Sequence, residues 1–325
     1  MPVCLSRREC RLSQAAANRV CKWYIYFGGT MINFENVSCR ILKDISLNIP
    51  KGETVGLIGS SGAGKTTLIK LACGLLAPEK GKIFTLGADP VKGRNLYGET
   101  ISTFIAGTPL LCPDDSVLQG FEIIRCIYKI SKSEFANRYD VLSMRLGFFK
   151  YGGELVKNLS LGERMRAEIG AALIYEPELL ILDEPNIGLD ENAKSILGQL
   201  LTERREAGMT TLLSSHDMAS VSKICSRIAM LDKGELVFYG SMENLRSRYT
   251  PIDTMSLKIE GRLPDLEDMP LKKYSIENNA LFLSYNSNSI TAAEILRTIT
   301  NQTKLSGVSI KKPNLEDVIS QLRSE

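Results

Sequence analysis

Residues 59–67 read Gly59-Ser60-Ser61-Gly62-Ala63-Gly64-Lys65-Thr66-Thr67, which fits the pattern G-x-x-x-x-G-K-[ST]. Ahead of this stretch, Glu53-Thr54-Val55-Gly56-Leu57-Ile58 has the character of a buried strand. Behind it, Leu68-Ile69-Lys70-Leu71-Ala72-Cys73 opens a helix. Strand, glycine-rich loop and helix, in that order, form the setting the pattern requires. The glycines let successive backbone N–H groups turn inward, and the helix adds its positive end, so the loop is built to hold phosphate. Lys65 supplies a point charge for the β- and γ-phosphates of a nucleotide, and the Thr66 hydroxyl is placed to ligate Mg²⁺.

Outward from the loop, strands and helices alternate. Strands are predicted at Ile32–Val37, Ile45–Ile49, Thr54–Ile58, Gly81–Thr85, Ser102–Ala106, Leu179–Leu182, Thr210–Ser214, Arg227–Leu231 and Glu235–Tyr239. Helices are predicted at Lys65–Leu76, Val117–Tyr128, Lys132–Leu146, Leu161–Tyr175, Glu191–Glu206 and Met218–Cys225. The alternation argues for an α/β domain over residues 31–248 with a mainly parallel sheet at its core. The hairpin-like pieces before the loop add an antiparallel β subdomain. Pro251 opens a smaller α/β appendage, which takes residues 249–325. Strand-like pieces there are Thr254–Ile259, Leu281–Tyr285 and Gly307–Ile310, and helices are predicted at Ile290–Thr300 and Leu315–Leu322. The appendage carries no catalytic motif and reads as a packing or dimer element.

Residues 1–30 stand apart. Arg7, Arg8, Arg11, Arg19 and Lys22 against Glu9 give a net +4, which leaves the remaining residues at −1 of the whole chain's +3. No broad basic field remains to recruit nucleic acid. This extension is expected to be flexible; the alternative is a membrane-surface anchor built from its arginines and Trp23-Tyr24-Ile25-Tyr26-Phe27. The eight cysteines show no C-x-x-C pair and the chain has one histidine, which argues against zinc and for reduced thiols. No apolar run reaches the ~18 residues that a membrane span needs.

Three further stretches belong with the phosphates. Leu179-Leu180-Ile181-Leu182-Asp183-Glu184-Pro185 is an apolar strand ending in two carboxylates. A buried parallel strand delivers its C-terminal end to the ligand crevice, so Asp183 is assigned to Mg²⁺ and Glu184 to the attacking water. Ser160 is an expected N-cap for the helix after Leu159-Ser160-Leu161-Gly162-Glu163. Its hydroxyl, the Gly162 N–H and the positive helix end make a second phosphate site, which one nucleotide in one domain does not need. It makes sense if it covers the nucleotide on another subunit. His216 closes a strand of the same predicted sheet, within reach of the γ-phosphate, and Ile187-Gly188-Leu189-Asp190 follows the acidic pair toward the partner subunit.

Together these stretches resemble the nucleotide-binding domain of ATP-binding-cassette (ABC) transporters. GSSGAGKTT is similar to the Walker A, LLILDEP to the Walker B, LSLGE to the signature motif, IGLD to the D-loop and SSHD to the switch histidine. The runs around the signature and IYKISKSEFANR are similar to the ATPases of ABC-2-type exporters, the viologen-exporter-like group among them. The resemblance implies a cassette fold with a P-loop NTPase core, an antiparallel β subdomain and an α-helical subdomain. It implies ATP with Mg²⁺, a head-to-tail homodimer or heterodimer in which Ser160 and Gly162 meet the nucleotide on the other subunit's loop, and Asp190 among the nucleotide-binding residues. It implies ATP hydrolysis by Lys65, Glu184 and His216, an ABC-2-type transmembrane permease as partner, and a cytoplasmic place on the inner face of the membrane.

The chain departs from that family at three points. Gly107 stands where the Q-loop glutamine is expected, with Thr108 as the substitute side chain. Ser38-Cys39-Arg40-Ile41 offers no aromatic for the adenine, leaving Arg40 to stack on the base. The signature carries Leu161 and Glu163 where glycine and glutamine are usual. The alternatives to an exporter subunit are a soluble cassette ATPase acting on ribosomes or DNA, and a regulatory subunit that holds ATP with weak turnover.

Overall fold

The structure is a computed structural model that describes residues 29–93, 100–105, 107–248, 252–266, 269–277, 280–286 and 289–311. Of the extension expected over 1–30, residues 1–28 lie outside the described residues and Thr30 opens the first strand; the helix expected at Leu315–Leu322 also lies outside the described residues. The chain divides into two compact units between Tyr239 and Gly240.

In the first unit, β1 (Thr30–Cys39), β2 (Leu42–Pro50) and β4 (Lys80–Thr85) form a three-stranded antiparallel sheet in the order β2-β1-β4. The second sheet has six strands. It contains β3 (Thr54–Gly59), β5 (Ile101–Phe104), β6 (Leu179–Asp183), β7 (Thr210–Ser214), β8 (Arg227–Asp232) and β9 (Glu235–Ser241), in the order β5-β6-β7-β3-β8-β9. The pairs from β5 through β8 are parallel. Strands β6 and β7 are buried at every position, which is why they read as unbroken apolar runs rather than alternating ones. Each buried leucine or isoleucine there stabilises the fold by about 1.5–3 kcal/mol.

Between β3 and β4 lies α1 (Lys65–Ala72). The sequence predicts this helix to Leu76, but it stops four residues earlier. The N–H groups of Leu75 and Leu76 both return to the Lys70 carbonyl, at 2.8 and 3.2 Å, so the chain turns off the helix axis.

Between β5 and β6 the helices α2 (Val117–Ile127), α3 (Lys132–Leu146) and α4 (Leu161–Leu173) form a helical layer. Each has a serine N-cap: Ser116, Ser131 and Ser160. Phe121, Tyr139 and Phe148 meet edge-on and stacked, with centroids 5.1–6.0 Å apart. A Cβ on Gly170 of α4 would sit 2.7 Å from Phe148 Cε1, so the missing side chain is what lets α4 lie on the aromatic rings. The unit is completed by α5 (Glu191–Glu206) before β7 and α6 (Met218–Ile224) after it.

The second unit holds α7 (Met242–Arg248), β10 (Ile252–Glu260), β11 (Leu271–Glu277), β12 (Ala280–Asn286), α8 (Ala292–Thr300) and β13 (Lys304–Lys311). Its antiparallel sheet runs β11-β12-β10-β13. Met255, Leu257 and Ile259 of β10 and Leu281, Leu283 and Tyr285 of β12 form one core with Ile295 and Ile299 of α8. The sequence pattern does not predict β11. That strand is an edge, exposed over nearly its whole length, so Leu271-Lys272-Lys273-Tyr274-Ser275-Ile276-Glu277 carries little burial signal.

Candidate functional site

Strand order brings the sequence-predicted residues to one rim of the parallel sheet. The C-terminal ends of β3, β6 and β7 carry Gly59, Asp183 and Ser214 respectively, with Asp183 directly opposite Ser214 in the ladder. Between Gly59 and Lys65 the chain forms the phosphate loop. Ser60 is half-buried, Ser61 and Gly62 are exposed, and Ala63 and Gly64 are buried. Gly64 is the N-cap of α1 with φ at 110°. A Cβ there would lie 2.5 Å from Leu42 Cδ2, so both the left-handed backbone and the close approach of β2 require glycine. No side chain caps α1, and its first N–H groups are left for an anion. Thr67 lies half-buried in the first turn.

Lys65 is 8% exposed. Its ammonium donates to the carbonyls of Gly59 (2.9 Å) and Ser60 (3.2 Å), closing the loop on itself, and lies 3.7 Å from Glu184 Oε1. The Thr66 hydroxyl donates to Asp183 Oδ2 at 2.8 Å. The other oxygen of Asp183 accepts from the Ser214 hydroxyl at 2.5 Å, and Ser214 Oγ accepts the Glu184 N–H at 2.9 Å. The sequence alone does not mark Ser214 as a site residue. Its role comes from cross-strand register, and its local signal is no more than a hydroxyl ending a buried apolar strand. Glu184 has φ at 51°, in the left-handed region. Its Oε2 is 2.7 Å from His216 Nδ1 and accepts the His216 N–H at 3.3 Å. The imidazole is 70% exposed, so a second body can reach it.

One hydroxyl and one carboxylate at the mouth of a phosphate loop form an oxygen donor set suited to a hard cation that keeps several waters. The residues present therefore fit Mg²⁺ bound together with nucleotide phosphate.

The remaining predicted residues form a separate group. Ser160 is the N-cap of α4 and is exposed. Its hydrogen bonds go to Glu163 in a capping box: Oγ to Oε2 at 2.7 Å, backbone N–H to Oε2 at 2.9 Å, and the Glu163 N–H back to Oγ at 3.4 Å. Gly162 packs on the turn after β6, where its Cβ would lie 2.8 Å from the Gly188 carbonyl oxygen. Asp190 is the N-cap of α5, accepting from the Ala193 N–H at 2.8 Å, and pairs with Arg166 of α4 at 2.5 Å. The start of α4 and the start of α5 are thus fastened together.

Two of the departures can be placed. Gly107 is exposed, with φ at 82° and open space where a side chain would begin; Thr108 is exposed and donates its N–H to the Ile105 carbonyl at 2.9 Å. Nearby, the buried carboxylate of Glu168 on α4 accepts the Leu110 N–H at 2.7 Å and the Leu111 N–H at 3.4 Å, a tie between α4 and the segment after β5 that the sequence does not disclose. Arg40 sits exposed in the β1–β2 turn at φ 53°, its N–H donating to Glu79.

The loop between β3 and α1, its lysine and the carboxylates at the rim define a P-loop nucleotide-binding protein. The family described as ABC transporter matches residues 42–186. The ABC transporter ATP-binding protein NatA of Bacillus subtilis (strain 168) is 32% identical over 206 residues, covering 63% of this chain and 84% of its own. The bacitracin transport ATP-binding protein BcrA of Enterococcus faecalis is 30% identical over 294 residues, covering 87% of this chain and 91% of its own. A solved ATP-binding subunit of an ABC transporter superposes with a TM-score of 0.63 at 27% identity, over 68% of this chain and 93% of that one. The chain belongs to the ATP-binding proteins of ABC transporters. With that family it binds ATP and is an ATPase coupled to transport; ATP-binding subunits of the family dimerise and work with membrane permeases. Among the described residues no helix is long and apolar enough to cross a membrane.

Proposed function

We propose that this chain is the ATP-hydrolysing subunit of an ABC-2-type exporter, closing on ATP as a head-to-tail homodimer and driving a separate permease. One observation carries the reading. Lys65, Thr66, Asp183, Glu184 and His216 converge on one rim of the sheet, whereas Ser160 and Gly162 stand at a different helix end and make no bond to that group. Each copy has one half-site of each kind, and two copies facing each other in opposite directions complete both. The name of one relative, a Nod factor export ATP-binding protein, supports export; others are named for bacitracin transport, linearmycin resistance and methionine import.

In this reading the loop N–H groups and Lys65 hold the β- and γ-phosphates of ATP. Lys65 gives up its bonds to Gly59 and Ser60 to do so. Thr66 and Asp183 hold Mg²⁺, which neutralises charge on the phosphate oxygens when bound. Glu184 accepts the proton of the attacking water. His216, already bonded to Glu184, keeps that carboxylate aimed and its ring reaches the γ-phosphate. Ser160 and Gly162 of the second copy donate to the same phosphate. The cassette ends near the division between Tyr239 and Gly240, short of the boundary at 248 expected from the sequence, and the appendage follows it.

Replacing Glu184 by Gln keeps the shape and removes the base. Hydrolysis should fall by about 10²–10⁴-fold, and an ATP-bound dimer should accumulate and be seen by light scattering. Turnover at the wild-type rate would overturn the role given to Glu184.

A further inference from the structure

The second half-site already contains an anion. The Glu163 carboxylate lies over the first turn of α4, where it takes the Ser160 hydroxyl proton and the Ser160 N–H on one oxygen. Tyr151 and Lys150, in the segment between α3 and α4, also favour its charged form. These interactions hold the carboxyl down at about 2, so it is charged at neutral pH. The positive end of α4 is thereby answered from within the chain.

The proposed function asks the same Ser160 hydroxyl to donate to the γ-phosphate of ATP held by the other copy. A hydroxyl has one proton to give. The carboxylate and the phosphate therefore compete for it, and they repel each other across a short distance.

We infer that Glu163 is a tethered competitor of the γ-phosphate at the Ser160 half-site, and that it sets the ATP concentration at which two copies close. This rests on the half-site reading of Ser160 and Gly162. It goes further in assigning a role to the one signature position where a neutral glutamine would give the same cap without the charge. On closure Ser160 turns its hydroxyl from Glu163 to the phosphate, while the Ser160 N–H keeps the carboxylate from swinging into the nucleotide.

The experiment compares purified full-length chains carrying Glu184→Gln with and without a change at Glu163, following dimer formation against ATP by light scattering. Glutamine preserves the capping box, so Glu163→Gln changes charge with little change in fold. It should lower the half-maximal ATP concentration by about five- to tenfold, allowing for the solvent-exposed setting. Glu163→Ala removes charge and cap together and should shift the same way. Raising salt should narrow the gap between the Glu163→Gln chain and its parent by screening the repulsion.

An unchanged threshold in Glu163→Gln overturns the inference alone. A shift in Glu163→Ala with none in Glu163→Gln overturns it too, because the cap and not the charge would then be responsible. If the Glu184→Gln chain forms no dimer at any ATP concentration, the half-site reading itself falls and takes this inference with it.

Discussion

The Thr66 hydroxyl donates to Asp183 Oδ2 at 2.8 Å, tying the first turn of α1 to the end of the fully buried strand β6. The carboxylate is itself held on its other side by Ser214. Two strand ends and the first turn of α1 are thus fixed relative to one another, which is the preorganisation a phosphate-transferring site requires.

A first prediction concerns that tie. Thr66→Ala removes one oxygen from the proposed Mg²⁺ set and leaves the loop backbone intact. Affinity for ATP with Mg²⁺ should fall by about tenfold or more, the worth of a charge-assisted contact. Affinity for ATP in the presence of a chelator should barely move. Fluorescent-nucleotide titration with and without the chelator checks both. Equal losses in the two titrations would remove Thr66 from the metal site.

Glu168 gives a dependence on pH. Burial raises its folded-state pKa above the ordinary value of 4.5, while the Leu110 and Leu111 N–H groups pull the other way. With a raised carboxyl, the folded protein holds the proton more tightly than the unfolded chain. Its contribution to stability is therefore greatest in acid and declines as pH rises from about 4.5 through the raised value. Glu168→Gln cannot titrate. Its melting temperature relative to wild type should climb across that window and then level off. A difference that is constant from about pH 4 to 8 contradicts the assignment.

The helical layer supplies a packing test. Adding a Cβ at Gly170 places it 2.7 Å from Phe148 Cε1 and 2.8 Å from Cζ. Both atoms belong to a filled aromatic cluster, so Gly170→Ala should cost about 1–3 kcal/mol of unfolding free energy. Urea denaturation measures it. A neutral or stabilising result would mean that α4 rides more loosely on Phe121 and Phe148 than their contacts indicate.

Much of this site is legible in the residues alone because its parts are local. The loop from Gly59 to Thr67 needs only its own glycines and the helix behind it. Strands β6 and β7 are buried on both faces and so announce themselves as apolar runs, and Ser160 marks its helix by an ordinary cap. What stays hidden depends on register or on side chains meeting across the fold. Ser214 touches Asp183 because β6 and β7 pair in one particular alignment. Arg166 meets Asp190, and Glu168 meets Leu110, only once α4 has been laid in place. The Glu163 contact has a local signal, since serine followed three residues later by glutamate is the pattern of a capping box. The edge strand β11 has none, with little buried surface to record its presence.

The composite nature of the nucleotide site is tested by mixing two inactive chains. Lys65→Ala destroys the phosphate loop and keeps Ser160; Ser160→Arg blocks the signature half-site and keeps Lys65. A mixed dimer has one site damaged on both sides and one wholly intact. Equal mixing of the two chains should restore ATPase activity to roughly a quarter of wild type, since half the dimers are mixed and each has one working site of two. Activity that stays at the sum of the two separate chains would show that each copy builds its site alone.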